Sequence, residues 1–125
     1  MRAEVRSFHS PDVYDRAGYE PDDPEVFGFL LQISIGTDGA LGEDTFDVVV
    51  CSPKWFESHL KAGEVRSTRH HLMTLQYDWP AIDKAIRGRV ARCEADTWQG
   101  VAEKLGRFGH WEFEDYTPQV PDHQI

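Results

Sequence analysis

Apolar side chains recur along this chain with two periods. Phe27, Phe29, Leu31, Ile33 and Ile35 alternate with Gly28, Leu30, Gln32 and Ser34. That is the two-residue period of a strand with one buried face, and it predicts a strand over 26–35. Gly36-Thr37-Asp38-Gly39 breaks it, and Gly42 extends the connection into a hairpin loop rather than a tight turn. Phe46, Val48 and Val50 resume one face, with Asp47, Val49 and Cys51 opposite. Residues 3–8 alternate more weakly as a first strand. Residues 9–24, rich in Pro, Asp and Tyr, read as an irregular connection.

The second period is helical. Ser52-Pro53 opens a helix, with a hydroxyl at the cap and proline in the first turn. Trp55, Phe56, His59 and Leu60 share its face, and Gly63 is its expected left-handed stop. Residues 65–77 then alternate as a strand, Arg69, His71, Met73, Leu75 and Tyr77 on one face and His70, Leu72, Thr74 and Gln76 on the other. Asp78 caps a helix with Pro80 in its first turn and Ile82, Ala85, Ile86, Arg89, Val90 and Cys93 at helical spacing. A last helix is expected from Asp96, with Gln99 three residues on in the manner of a capping box and an apolar stripe of Trp98, Val101, Ala102, Leu105 and Phe108. Gly106 and Gly109 end it. Residues 111–116 alternate as a closing strand, Trp111 and Phe113 inward, Glu112, Glu114 and Tyr116 outward. The element order predicts an α+β fold: a mostly antiparallel sheet of about five strands with about three helices packed on one side. A length of 125 residues fits one domain, 1–125, with 117–125 as a flexible tail.

Charge adds a direction to this outline. The net charge is −9, which argues against a nucleic-acid backbone as ligand. The acids are unevenly spread: residues 11–47 hold ten acids and one base, Arg16, and residues 112–125 hold four acids and neither Lys nor Arg. If these two stretches meet in space, they form a field that attracts a cationic partner. No apolar run is long enough to span a bilayer, and the polar start at Met1-Arg2-Ala3-Glu4 lacks a secretory signal, so a cytoplasmic protein without membrane contact is expected.

Candidate chemistry is sparse. His70 and His71 are adjacent in an expected strand and point to opposite faces, so they do not chelate one metal, and no Cys or His pair has ligand spacing. Cys51 and Cys93 read as free thiols, Cys51 as a small buried hydrophobe, although a disulfide between them stays open. The glycines of 36–42 lack a phosphate-loop lysine, and no serine sits in a nucleophile elbow. Trp55, Trp79 and Trp98 each fall in the first turn of an expected helix and read as anchors onto the sheet. The expectation is no catalytic residue, no cofactor and no metal.

The wording of three stretches, Asp44-Thr45-Phe46-Asp47-Val48-Val49-Val50-Cys51-Ser52-Pro53-Lys54-Trp55, Pro24-Glu25-Val26-Phe27-Gly28-Phe29-Leu30-Leu31-Gln32 and 96–116, together with Tyr77-Asp78-Trp79, resembles the immunity protein 8 family of bacterial polymorphic-toxin systems. The resemblance covers residues 3–116. It implies a small α+β protein that binds and neutralises a cognate toxin domain without catalysis. It carries over no functional residue, so the contact set rests on charge: Asp22, Asp23, Glu25, Glu112, Glu114 and Asp115, with Tyr116. An acidic surface of this kind would cover the basic cleft of a nuclease-type toxin in a stoichiometric complex. A structural or oligomerisation module and a small hydrolase stand as alternatives. Oligomeric state is open.

Overall fold

The structure is a computed structural model and describes residues 1–114. Three long strands run first: β1 (Ala3–His9), β2 (Gly28–Thr37) and β3 (Asp44–Cys51). They pair antiparallel in the order β1-β2-β3. A bulge between Val5 and Ser7 kinks β1. The β2–β3 connection is the expected long hairpin loop. Gly39 and Gly42 both take positive φ there, and the Arg6 guanidinium holds the loop by donating to the carbonyls of Thr37 and Ala40 at 2.6 Å each.

The far edge of β3 is shared by two short strands. β4 (His71–Met73) lies parallel to Val49–Cys51, and β5 (His110–Trp111) lies antiparallel to Phe46 and Asp47. The sheet is therefore mixed. The alternation over 65–77 predicts a much longer strand than forms. His70 takes a left-handed φ of 70°, and the amide of His71 closes a turn onto the Thr68 carbonyl, so extended pairing starts only at His71. Val65 and Leu75, at the two ends of that alternation, are 99% and 74% exposed. The closing strand is also shorter than expected. Glu114 donates its amide to the Trp111 carbonyl and turns the chain after the pairing of Trp111 with Phe46. Trp111 is accordingly buried, at 9% exposure, whereas Phe113 is 42% exposed and meets the Trp111 ring edge-on.

The helices are α1 (Pro53–Ser58), α2 (Trp79–Ala91) and α3 (Trp98–Leu105). Ser52 caps α1: its fully buried hydroxyl accepts from the amides of both Trp55 and Phe27, at 3.2 Å each, and so welds the helix start to the entry of β2. Asp78 caps α2 through the Ala81 amide. The cap of α3 is Thr97, whose hydroxyl accepts from Gly100, and not Asp96 one residue earlier. α1 ends at Ser58, capped by His59. Gly63 does take a left-handed φ of 80°, but in the next turn.

The core lies on one face of the sheet. Phe29, Leu31, Ile33 and Ile35 of β2 and Phe46, Val48 and Val50 of β3 meet Ile82, Ile86 and Val90 of α2 and Val101, Ala102 and Leu105 of α3. α1 has no buried residue. Its Trp55 lies instead over Gly28, where a Cβ would fall 2.2 Å from the indole, so it covers one end of the opposite face. Trp79 packs edge-on against Phe8 under the Arg16 guanidinium. Cys51 and Cys93 are both buried and free, and burial pushes the Cys51 thiol up to about 11.

Trp98, at the start of α3, and Trp111, in β5, converge on one acceptor. Both indole N–H groups donate to Asp44 Oδ2, at 2.7 and 3.1 Å. Asp44→Ala leaves two half-buried donors without their acceptor. The expected loss is about 2 kcal/mol of stability, read as a lower urea midpoint by tryptophan fluorescence. A variant with an unchanged midpoint would contradict this role.

Candidate partner-binding surface

The charge-based contact set falls into two groups. Asp22, Asp23 and Glu25 sit at a turn leading into β2. Asp23 accepts the Val26 amide through its carbonyl and the Glu25 amide through its carboxylate, with Pro24 in the second position. Glu25 pairs with Lys54 at the start of α1. Glu112 and Glu114 sit just after β5. Glu112 and Thr45 are joined both ways, the Thr45 amide donating to the Glu112 carboxylate and the Glu112 amide to the Thr45 carbonyl. Glu114 is paired with Arg69 at 2.8 Å. Asp115 and Tyr116 lie outside the described residues.

The two groups do not merge. The turn adjoins Gly28, which pairs with Cys51, while Glu112 adjoins Thr45. They are separated by the six-residue run of β3, roughly 20 Å at the rise of a strand. Between them lies the sheet face that α2 and α3 leave open. Half-buried side chains of Leu30, Gln32 and Ser34 from β2 and Thr45, Asp47 and Val49 from β3 occupy it.

Strand register builds a polar row across this face. His9 of β1 is opposite Gln32 of β2, Gln32 is opposite Asp47 of β3, and Asp47 is opposite His110 of β5. Asp47 stands in the middle, and its Oδ1 is buried with no hydrogen-bond donor. Burial raises the Asp47 pKa above the ordinary carboxylate value. The nearby Glu112 carboxylate pushes the same way, and His110 and the Gln32 amide oppose both. His110 also meets His70 edge-on, and His70 Nε2 lies 2.8 Å from the Gly106 carbonyl. The His70 and His71 rings do diverge, His71 turning to Phe56 of α1.

Sequence reasoning missed Asp47, Gln32 and His110 as a group. Asp47 and Gln32 were visible as outward positions of strands, whereas His110 fell just before the expected closing strand, and only the pairing of three strands brings them side by side. Elsewhere a cleft of about 440 Å³ runs beside α3 and is lined by Arg69, Glu103, Trp111, Phe113 and Glu114. The one base among these residues, Arg69, is already joined to Glu114. Among the described residues no group of three His, Cys, Asp or Glu side chains is placed to hold a metal ion, and no helix is long and apolar enough to cross a membrane.

The Asp47 environment has a pH consequence. The folded protein binds this proton more tightly than the unfolded chain, so the charged carboxylate opposes folding above its folded-state pKa. That cost fades as pH falls through this pKa towards the unfolded value. Asp47→Asn is expected to melt at a higher temperature than the wild type at about pH 7, with the gap narrowing towards about pH 4. Thermal melts across that range test the sign, and a variant that melts lower at neutral pH contradicts it.

Compared with known proteins, the chain matches the model of a family described as Immunity protein 8, over residues 3–116. No curated protein and no solved structure matches it.

Proposed function

The chain belongs to the immunity protein 8 family, and from that premise we propose that it neutralises its toxin by stoichiometric occlusion, binding the toxin domain and covering its working cleft. The family makes it an immunity protein directed against a toxin, which supports a reading of binding rather than catalysis. The finer reading is a nuclease-type toxin with a basic cleft, met in the cytoplasm by a single folded domain that needs no cofactor. The contact residues are Asp22, Asp23 and Glu25 at one end and Glu112 and Glu114 at the other, with Asp115 and Tyr116, which lie outside the described residues, completing the set.

The observation that carries this reading is the siting of carboxylates at both ends of an uncovered sheet face. A cleft that grips a polyanion must present several Lys or Arg side chains along a line. An acceptor surface with acids roughly 20 Å apart, by the rise of a strand, matches the spread of such a line better than one compact patch would. Opposite charge also accelerates capture, which matters for an inhibitor that must reach its toxin before the toxin acts.

Co-expression with the toxin domains encoded beside this gene tests the class. Growth should be rescued and a stable one-to-one complex should purify. Failure to bind any of them sinks the reading. Reversing the charges of Asp22, Asp23 and Glu25 together, and separately of Glu112 and Glu114, is expected to slow association by about tenfold at low salt and to flatten its dependence on ionic strength. Stopped-flow mixing at several salt concentrations reads this directly, and unchanged rates would remove the electrostatic part of the proposal.

A further inference from the structure

The alternation that runs through β4 continues into Thr74-Leu75-Gln76, but the strand ends at Met73. The chain crosses instead to the turn ahead of β2. The Thr74 amide donates to the Cys51 carbonyl at 3.1 Å, and the Tyr77 amide to the Pro24 carbonyl at 3.0 Å. The Thr74 hydroxyl donates to the Gln76 carbonyl at 3.3 Å. Tyr77 is fixed in turn, its ring edge-on to those of Tyr19 and Phe27 and its hydroxyl donating to the Arg16 carbonyl. Residues 74–76 therefore form a short strap held at both ends, and Leu75 stands out from it at 74% exposure. Leu75 and Gln76 also belong to the walls of two hollows. One, of about 620 Å³, is shared with Ala17 and Tyr19 and with Trp79 and Pro80 at the start of α2. The other, of about 170 Å³, is completed by Glu25, Pro53 and Lys54.

Two other exposed apolar side chains have a different setting. Val65 stands between Glu64 and Arg66, which pair with each other, and Leu41 sits in the hairpin loop between two glycines of positive φ. Leu75 is presented on a backbone already ordered, so little further entropy is lost when it docks. Its surroundings are acidic. Glu20, Asp22, Asp23 and Glu25 fall within six residues with no base among them, and Lys54, the base beside the smaller hollow, is held by Glu25. We propose that the strap is the apolar anchor of the toxin interface: Leu75 inserts into an apolar recess of the toxin domain whose rim carries lysine or arginine, and those cations meet Asp22 and Asp23. This rests on the reading of the chain as a toxin-binding protein, and it adds to the acidic surface the contact that supplies affinity. Charge complementarity selects the occupant. A second copy of the chain would bring its own acids against these and be repelled, whereas a basic rim is attracted. An apolar centre inside a polar rim is also the common build of a protein interface.

The anchor and the acids act on different rates. Rim charges change association, and a desolvated apolar contact changes dissociation. Leu75→Ser is expected to leave the toxin domain encoded beside the gene about tenfold faster, with an association rate within about twofold of the wild type. Biolayer interferometry with the full chain reads both rates. The free variant should keep the wild-type melting temperature, because a side chain this exposed contributes little to folding. Leu75→Met, which keeps the apolar character, should dissociate like the wild type. Val65→Ser, also exposed but flanked by the Glu64–Arg66 pair, should do so too. If Leu75→Ser dissociates at the wild-type rate, or if Val65→Ser loses as much, the strap is not the anchor. If the wild type sediments as a dimer and Leu75→Ser as a monomer, the occupant is a second copy and the proposal is overturned. If the wild-type protein itself binds none of the neighbouring toxins, the immunity reading fails first and this anchor falls with it.

Discussion

Asp44 accepts two indole N–H groups on one carboxylate oxygen, and much of the molecule depends on that junction. Trp98 belongs to the first turn of α3, Trp111 to β5, and Asp44 to the first position of β3. One acceptor therefore joins β3 to α3 and β5, whose tryptophans lie 54 and 67 residues further along the chain. It fixes where α3 begins over the sheet and draws β5 to the front half of β3. The stacking of Trp111 on Phe46 and the burial of Leu105 and Val101 behind it follow from the same placement. So does the position of His110, which pairs with Asp47 only because Trp111 is held next to Phe46.

The shared edge of β3 is the second organising constraint. A strand of eight residues has room for two short partners in line, and β4 and β5 take the two halves in opposite directions. Ser52 sets the other limit by tying α1 to the entry of β2. Helices α2 and α3 then cover one face and α1 only the end of the other. The open face is a result of this division, and the row from His9 to His110 lies across it because four strands come into register there.

The parts of the fold that local chemistry decides were legible in the sequence. The alternation of Phe29 to Ile35 located β2, and Ser52, Pro53, Asp78 and Pro80 located two helix starts. The helical spacing of Ile82, Ile86 and Val90 identified the buried side of α2. The errors occurred where tertiary contact overrides local pattern. A left-handed turn at His70 cannot be read from a histidine in an alternating run, and the parallel pairing of β4 depends on where α1 returns the chain. Thr97 displaces Asp96 as a cap although both residue types suit the position. The acids of the candidate surface were legible as charge, but not their separation. Asp47 was one acid among many until the pairing of strands set it between Gln32 and His110.

The way the sheet ends carries a consequence for its behaviour before any partner arrives. A long, flat, unpaired strand edge is a template on which another chain can grow. Here neither edge offers one. On one side β1 is kinked by its bulge, and the chain beside its start is engaged, the Ala3 amide with the Cys93 carbonyl and the Ala95 amide with the Met1 carbonyl. On the other side the edge is divided between a strand of three residues and one of two, running in opposite directions. A second sheet approaching either side finds no continuous ladder to extend. The fold thereby resists growing into fibres by edge-to-edge pairing of its described strands.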